Sequence, residues 1–276
     1  MGAPHVTVLD GPVGTELARR GLVLPSPAWS AVALDQAPEL VAAIHRDYVA
    51  AGATVHTANT FRTKRRSVGP RWEELARRAV RLARGAAPGL RVAGSIAPLE
   101  DCYRPDLSPG LASRAEHGEL ARVLADEGVD VILCETFADE TEAVVAVEEA
   151  ARTGVETWIA LWPSPAMSLL RTARACVAAG ASAVLVNCVA ATETLPFVVE
   201  LARAGVPFGA YANAGDESAG IGWGADAEDG ARAYEALART WLEAGATLVG
   251  GCCGTGPAHV ARLAKMAATR AVPKLV

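Results

Sequence analysis

Thr247-Leu248-Val249-Gly250-Gly251-Cys252-Cys253-Gly254-Thr255-Gly256-Pro257 reads as a strand, a glycine turn and a helix start. The run 246–249 is mostly apolar, as befits a strand buried on both faces. The residues that follow, about 259–268, carry helical periodicity. Upstream the pattern recurs. A strand at 183–189 precedes a helix at 194–204, and a strand at 130–136 precedes a helix at 140–152.

Further strands are predicted at 6–10, 54–59, 91–97, 157–162 and 206–211, and the last at 247–253. Helices are predicted at 15–20, 38–51, 72–84, 116–127, 169–179 and 225–244. Pro38 opens one helix and Gly52 stops it; Gly85 and Gly128 are read as two further stops. Eight strand–helix units with no break in composition predict an α/β fold, a single (β/α)8 TIM barrel over residues 1–276. An open doubly wound sheet is the alternative, but the first strand lacks the G-x-G-x-x-G turn.

The 276 residues are 51% hydrophobic, enough for a large core, and the net charge is −5. Lys64-Arg65-Arg66 is the one short basic cluster, so no nucleic-acid partner is expected. The first residues lack a signal peptide and a myristoylation pattern, and no apolar run is long enough for a membrane. A soluble, cytoplasmic enzyme acting on small molecules is expected, and an oligomer is compatible with the sequence. Six cysteines in such a chain suggest thiol or metal chemistry more than disulfides.

In a barrel the chemistry sits at the C-terminal ends of the strands. Those ends carry Asp10, Asn59-Thr60, Ser95, Glu135-Thr136, Asn187-Cys188, Asn213 and Cys252-Cys253. Zinc favours sulfur ligands in tetrahedral geometry and keeps one position open when catalytic. Cys188, Cys252 and Cys253 could therefore hold one Zn2+. Two unrelated buried thiols, or a phosphate-binding glycine loop, are the alternatives. Adjacent cysteines cannot both face inward on a regular strand, so the chain must bend at its glycines. Cys134, beside Glu135, should face the opposite side; Cys176 reads as core and Cys102 as a spare loop thiol.

Asp10 and Glu135 could cap helices or pair with arginines, or they could hold a substrate ammonium. The turn Gly11–Thr15, entering a helix, suits a carboxylate. Together these would clamp an α-amino acid. Trp162 could wall the pocket or pack. His5, His45, His56, His117 and His259 show no ligand spacing and are given structural roles.

Several stretches resemble the homocysteine S-methyltransferase family: Leu9-Asp10-Gly11-x-x-Gly14-Thr15-Glu16-Leu17, Trp29-Ser30-Ala31, Pro38-Glu39-Leu40 with His45 and Tyr48, Gly52-Ala53, Asn59-Thr60-Phe61, Glu135-Thr136, Asn187-Cys188, Asn213 and Gly250-Gly251-Cys252-Cys253-Gly254-Thr255. The resemblance spans nearly the whole chain. It implies a zinc-containing barrel that methylates the homocysteine sulfur. It also implies Cys188, Cys252 and Cys253 as ligands, and Asp10 and Glu135 as partners of the amino-acid head. Gly11, Thr15, Asn59 and Asn213 complete the expected substrate site. Trp29-Ser30-Ala31 looks like branches that use S-methylmethionine or S-adenosylmethionine. Gly254-Thr255 looks more like the module of cobalamin-dependent methionine synthase. The chain departs from the family at Ala97-Pro98-Leu99-Glu100-Asp101 and at Trp162-Pro163, on the donor side.

The expected reaction moves a methyl group from a sulfonium donor to homocysteine, giving methionine. Alternatives are a homocysteine module fed by a methylcorrinoid or folate partner, a transferase for another thiol or selenol, and a non-catalytic zinc or amino-acid binding barrel.

Overall fold

In the computed structural model, residues 5–270 other than 224 are described; the expectations for the first four residues lie outside them. Eight parallel strands form one sheet: β1 (Thr7–Val8), β2 (Val55–Ala58), β3 (Arg91–Ile96), β4 (Val131–Phe137), β5 (Glu156–Leu161), β6 (Ala183–Ala190), β7 (Phe208–Asn213) and β8 (Leu248–Gly251). Their order is β1-β8-β7-β6-β5-β4-β3-β2. The ring closes between β1 and β2 through a Leu9–Val55 bridge, with Asp10 N–H donating to Val55 O at 3.0 Å and Thr54 N–H to Val8 O at 2.8 Å. The architecture is the (β/α)8 barrel that the sequence pattern predicts.

Strand parity sorts the core into two layers. Leu9, Val55, Val131, Leu133, Trp158, Leu185 and Leu248 fill the barrel interior. Val8, Ile132, Cys134, Val184, Val186 and Val249 face the helices, with Cys176 and the helical apolar faces against them. Successive strand residues point to opposite sides, which is why both layers can be apolar and the strands read as unbroken hydrophobic runs. Cys134 and Cys176 therefore belong to the helix-facing layer, as expected.

Boundaries shift by a few residues, and the shifts have causes. The helix expected to stop at Gly85 runs Trp72–Ala86. The left-handed turn that ends this unit falls instead at Gly89, φ 76°. Arg84 fixes that turn by donating to Leu90 O and Gly128 O. β8 ends at Gly251 rather than at residue 253, so neither Cys252 nor Cys253 is in the strand. Gly52 (φ 92°) and Gly128 (φ 74°) end their helices as expected.

Candidate active site

A cavity of about 280 Å3 opens at the C-terminal ends of the strands. Asp10 and Glu135 stand on its wall, with Cys188, Cys252 and Cys253. Gly11, Val13, Gly14 and Asn59 line the same space, and so do Trp29, Phe61, Arg62, Cys102, Tyr103 and Tyr211.

The three thiols converge because the backbone departs from regular strand geometry at each. By parity Cys188 should follow Val184 and Val186 toward the helices. Instead its φ is 55°, and the β6–β7 register shifts between Asn187 and Ala190. A left-handed non-glycine residue is sparsely populated, and such conformations cluster at functional sites. Cys252 to Thr255 closes a turn, with Thr255 N–H donating to Cys252 O at 3.0 Å. Its third residue is Gly254 at φ 82°, as a type II turn requires. A Cβ there would also run 2.7 Å from Ala214 Cβ and into the Trp223 indole. This turn brings Cys253 round to the same side as Cys252. Arg19 fastens it from outside, donating to Gly254 O at 2.7 Å and to Thr255 O at 2.8 Å.

Cys188 Sγ lies 3.0 Å from Cys252 Sγ, and Cys252 Sγ lies 4.0 Å from Cys253 Sγ. All three sulfurs lie within 4.8 Å of one another, and the cysteines are free thiols. Zn–S bonds of about 2.3 Å at tetrahedral angles space sulfurs roughly 3.8 Å apart. The second separation is close to that spacing and the first is shorter. The contact with Cys188, the contact with Cys253 and burial hold the Cys252 thiol well above its ordinary range. Hydrogen bonds from Cys188 and Cys252 pull the Cys253 thiol down instead. As bare thiols the trio thus concentrates negative charge on one sulfur. A soft divalent cation lets all three carry it. The donor set fits a thiophilic metal.

The carboxylates stand across the cavity. Asp10 Oδ2 accepts from Thr57 N–H at 2.9 Å. Glu135 accepts from the Ser95 hydroxyl and, at 2.9 Å, from the Tyr211 hydroxyl. Burial pushes both carboxyls up from their ordinary range, well up for Asp10. No arginine is bonded to either among the described residues, so neither serves as half of an ion pair. Buried carboxylates without a cation are poised to accept one. Thr136, next to Glu135, has φ 64° at the β4–β5 register shift. Its hydroxyl receives Asn187 Nδ2 at 2.8 Å, tying the β4 bulge to the β6 bulge.

A second group, Asp10, His45 and His56, also lies within 4.8 Å. His45 and His56 are buried and do not line the cavity; His45 Nδ1 is 3.9 Å from Asp10 Oδ2. Burial, then His56, lowers the His45 pKa to about 3. These histidines back Asp10, a grouping that linear spacing did not reveal.

Three of the expected substrate residues are hydrogen-bonded to the scaffold in this structure. Asn213 donates to Cys188 O at 3.0 Å and accepts from Gly215 N–H at 2.9 Å, and it does not line the cavity. The β6 bulge gives that carbonyl to Asn213 rather than to the strand ladder. The Thr15 hydroxyl accepts from Gly254 N–H at 3.1 Å, so it steadies the thiol turn. Asn59 lines the cavity, but both ends of its amide hold Ser30, at 2.7 and 2.9 Å. Gly11 lines the wall beside Asp10.

Other residues enter that the sequence reading left aside. Cys102, read as a spare thiol, faces the cavity; burial raises its pKa to about 11. Tyr103 faces it too and stacks edge-on against Trp162 at 5.4 Å, so Trp162 packs behind the wall rather than forming it. Trp29, at φ 44°, lies over Gly14, where a Cβ would collide with the indole. Gly14 in the first motif was a legible signal of that close approach.

A sequence profile of the homocysteine S-methyltransferase family matches residues 7–267. The chain belongs to the homocysteine S-methyltransferase family. This family member is 30% identical to the homocysteine S-methyltransferase of Escherichia coli K12 over 292 positions, covering 94% of each chain. It is 29% identical to homocysteine S-methyltransferase YbgG of Bacillus subtilis over 300 positions, again covering 94% of each. Among solved structures it is similar to the metallated form of the E. coli homocysteine methyltransferase MmuM. There the TM-score is 0.81 and the identity 26%, over 95% of this chain and 96% of that one. This homocysteine S-methyltransferase family member is thus a methyltransferase whose candidate metal-binding residues lie at the barrel mouth. No described helix is long and apolar enough to cross a membrane.

Proposed function

We propose that the chain transfers a methyl group from a sulfonium donor, S-methylmethionine or S-adenosylmethionine, to the thiol of L-homocysteine, giving methionine. In this reading Cys188, Cys252 and Cys253 hold Zn2+, and Asp10 and Glu135 hold the ammonium group of homocysteine. The observation that carries it is the meeting, in one cavity, of three thiols and two carboxylates that lack a cation. A binding barrel for an amino acid alone would need the carboxylates but not the thiols.

Zinc, when bound, would supply a Lewis acid that keeps the acceptor sulfur deprotonated, where a free thiol of pKa near 8.5 is mostly protonated. Asp10 and Glu135 fix the amino-acid head, and Gly11, beside Asp10, leaves room for the Tyr48 ring that a Cβ would strike. The homocysteine sulfur then attacks the donor methyl carbon in line. The bond from that carbon to the sulfonium sulfur breaks, its electron pair stays on the departing thioether, and no proton is needed there. Holding both sulfurs on either side of one methyl replaces an encounter in solution by a prepared geometry. Asn59, Thr15 and Asn213 support that geometry through their bonds to Ser30, Gly254 and Cys188. Free thiols throughout the described chain suit a reducing cytoplasm.

A selenol acceptor is a second reading, because a selenocysteine Se-methyltransferase of Brassica oleracea is 25% identical over 313 positions. The test is methionine formation by reduced, zinc-loaded protein. Homocysteine would be offered with S-methylmethionine, S-adenosylmethionine, a methylcorrinoid or a methylfolate, and selenocysteine would compete. Turnover with a sulfonium donor and homocysteine supports the proposal; turnover only with a corrinoid or folate rejects it.

A further inference from the structure

One cation in the cavity has no partner. Lys64 donates to Pro98 O, Arg65 pairs with Glu119 at 3.3 Å, and Arg66 is held by Glu116 and Glu100. Arg62, two residues before this cluster, lines the cavity with no ion pair or hydrogen-bond partner among the described residues, and its Nε is buried and unsatisfied. The guanidinium carbon lies 5.3 Å from the Phe61 ring centroid, within cation–π distance of that face. It is close enough to Cys102 for its charge to counter part of that thiol's burial. A buried N–H without an acceptor is costly unless something arrives to accept it.

Position says which ligand. The acceptor's sulfur belongs at Cys188, Cys252 and Cys253, and its ammonium belongs at Asp10 and Glu135. Arg62 lies beyond the end of β2 and lines the cavity together with Cys102 and Tyr103 of the loop after β3, none of which the proposed reading assigns to the acceptor. Guanidinium matches a carboxylate with two parallel charge-assisted hydrogen bonds.

Resting on the sulfonium-donor reading above, we propose that Arg62 binds the carboxylate of the methyl donor. It would select donors whose sulfonium group is carried on an amino acid or another carboxylic acid. Arg62 is then a specificity residue, outside the thiols that define the reaction.

The experiment compares S-methylmethionine with its methyl ester, which keeps the sulfonium and ammonium but loses the negative charge. Steady-state kinetics would use the zinc-loaded wild type, Arg62→Gln and Arg62→Lys. The wild type should favour the acid by about tenfold or more in KM, the size of a lost charge-assisted pair. Arg62→Gln should erase that preference and Arg62→Lys restore part of it, while KM for homocysteine moves by less than about twofold. Zinc content and thermal midpoint would check that each variant is folded. The wild-type comparison of acid and ester stands even if a variant is not. Equal use of acid and ester by the wild type overturns the proposal and leaves the transferase reading intact. So does a rise confined to the KM for homocysteine. If no sulfonium compound yields methionine, the donor reading fails and Arg62's assignment falls with it.

Discussion

Cys134 on β4 and Cys188 on β6 belong to one sheet, with β5 between them, yet meet opposite fates. Cys134 sits on regular backbone, faces the helices with Cys176, and burial pushes its thiol well up. Cys188 sits at a bulge with φ 55° and turns into the cavity beside Cys252 and Cys253. The same side chain is inert packing in one layer and a candidate metal ligand in the other. What separates them is a single backbone inversion, repeated at Thr136 and matched by the Gly254 turn.

The sharpest way to break this contrast is to alter the rim thiols. Cys188→Ser, Cys252→Ser or Cys253→Ser should each lose bound zinc and reduce turnover by more than the roughly 10–100-fold typical of an outer-shell residue. Metal analysis and methionine yield would read both. Retained zinc with retained turnover in any one variant would remove that residue from the ligand set.

A smaller effect belongs to the carboxylates. Asp10→Asn or Glu135→Gln should leave zinc in place and raise KM for homocysteine. A lost charged hydrogen bond is worth about 1.5–3 kcal/mol, or roughly 10–150-fold. Since burial raises the Asp10 pKa, the neutral acid prevails further up in pH than for a free carboxyl. Homocysteine affinity should therefore weaken as pH falls through that titration, and Asp10→Asn should flatten this part of the profile.

Next comes the turn. Gly254→Ala would force an alanine to φ 82° and against Ala214 and Trp223. Strain of this kind costs about 1–3 kcal/mol, which thermal or denaturant unfolding would register. Turnover should fall with it, because Cys253 depends on the turn for its direction. On the other side of the contrast, Cys134→Ala and Cys176→Ala should cost about 1–2 kcal/mol of stability. Their kcat/KM should stay within about twofold. A large activity loss there would blur the distinction between the two layers.

The barrel was legible because its strands must be apolar on both faces and glycines such as Gly52 and Gly128 stop its helices. Asp10, Glu135 and the three rim thiols were legible because strand ends form the mouth. Asn213 and Thr15 were not legible as scaffold. Their partners, Cys188 O and Gly254 N–H, become available only once the backbone bends. Cys102, Tyr103 and Arg62 reach the cavity from loops whose course no periodicity encodes. Arg19 supports the thiol turn across 235 positions of sequence, a contact that only closure of the barrel creates.

X-ray absorption at the zinc edge tests the central claim most directly. The reduced, zinc-loaded protein should show about one zinc per chain with three sulfur neighbours near 2.3 Å and one lighter ligand. Adding homocysteine should convert that shell to four sulfurs. A protein that takes up no zinc, or a shell with fewer than three sulfurs before homocysteine, would contradict the account.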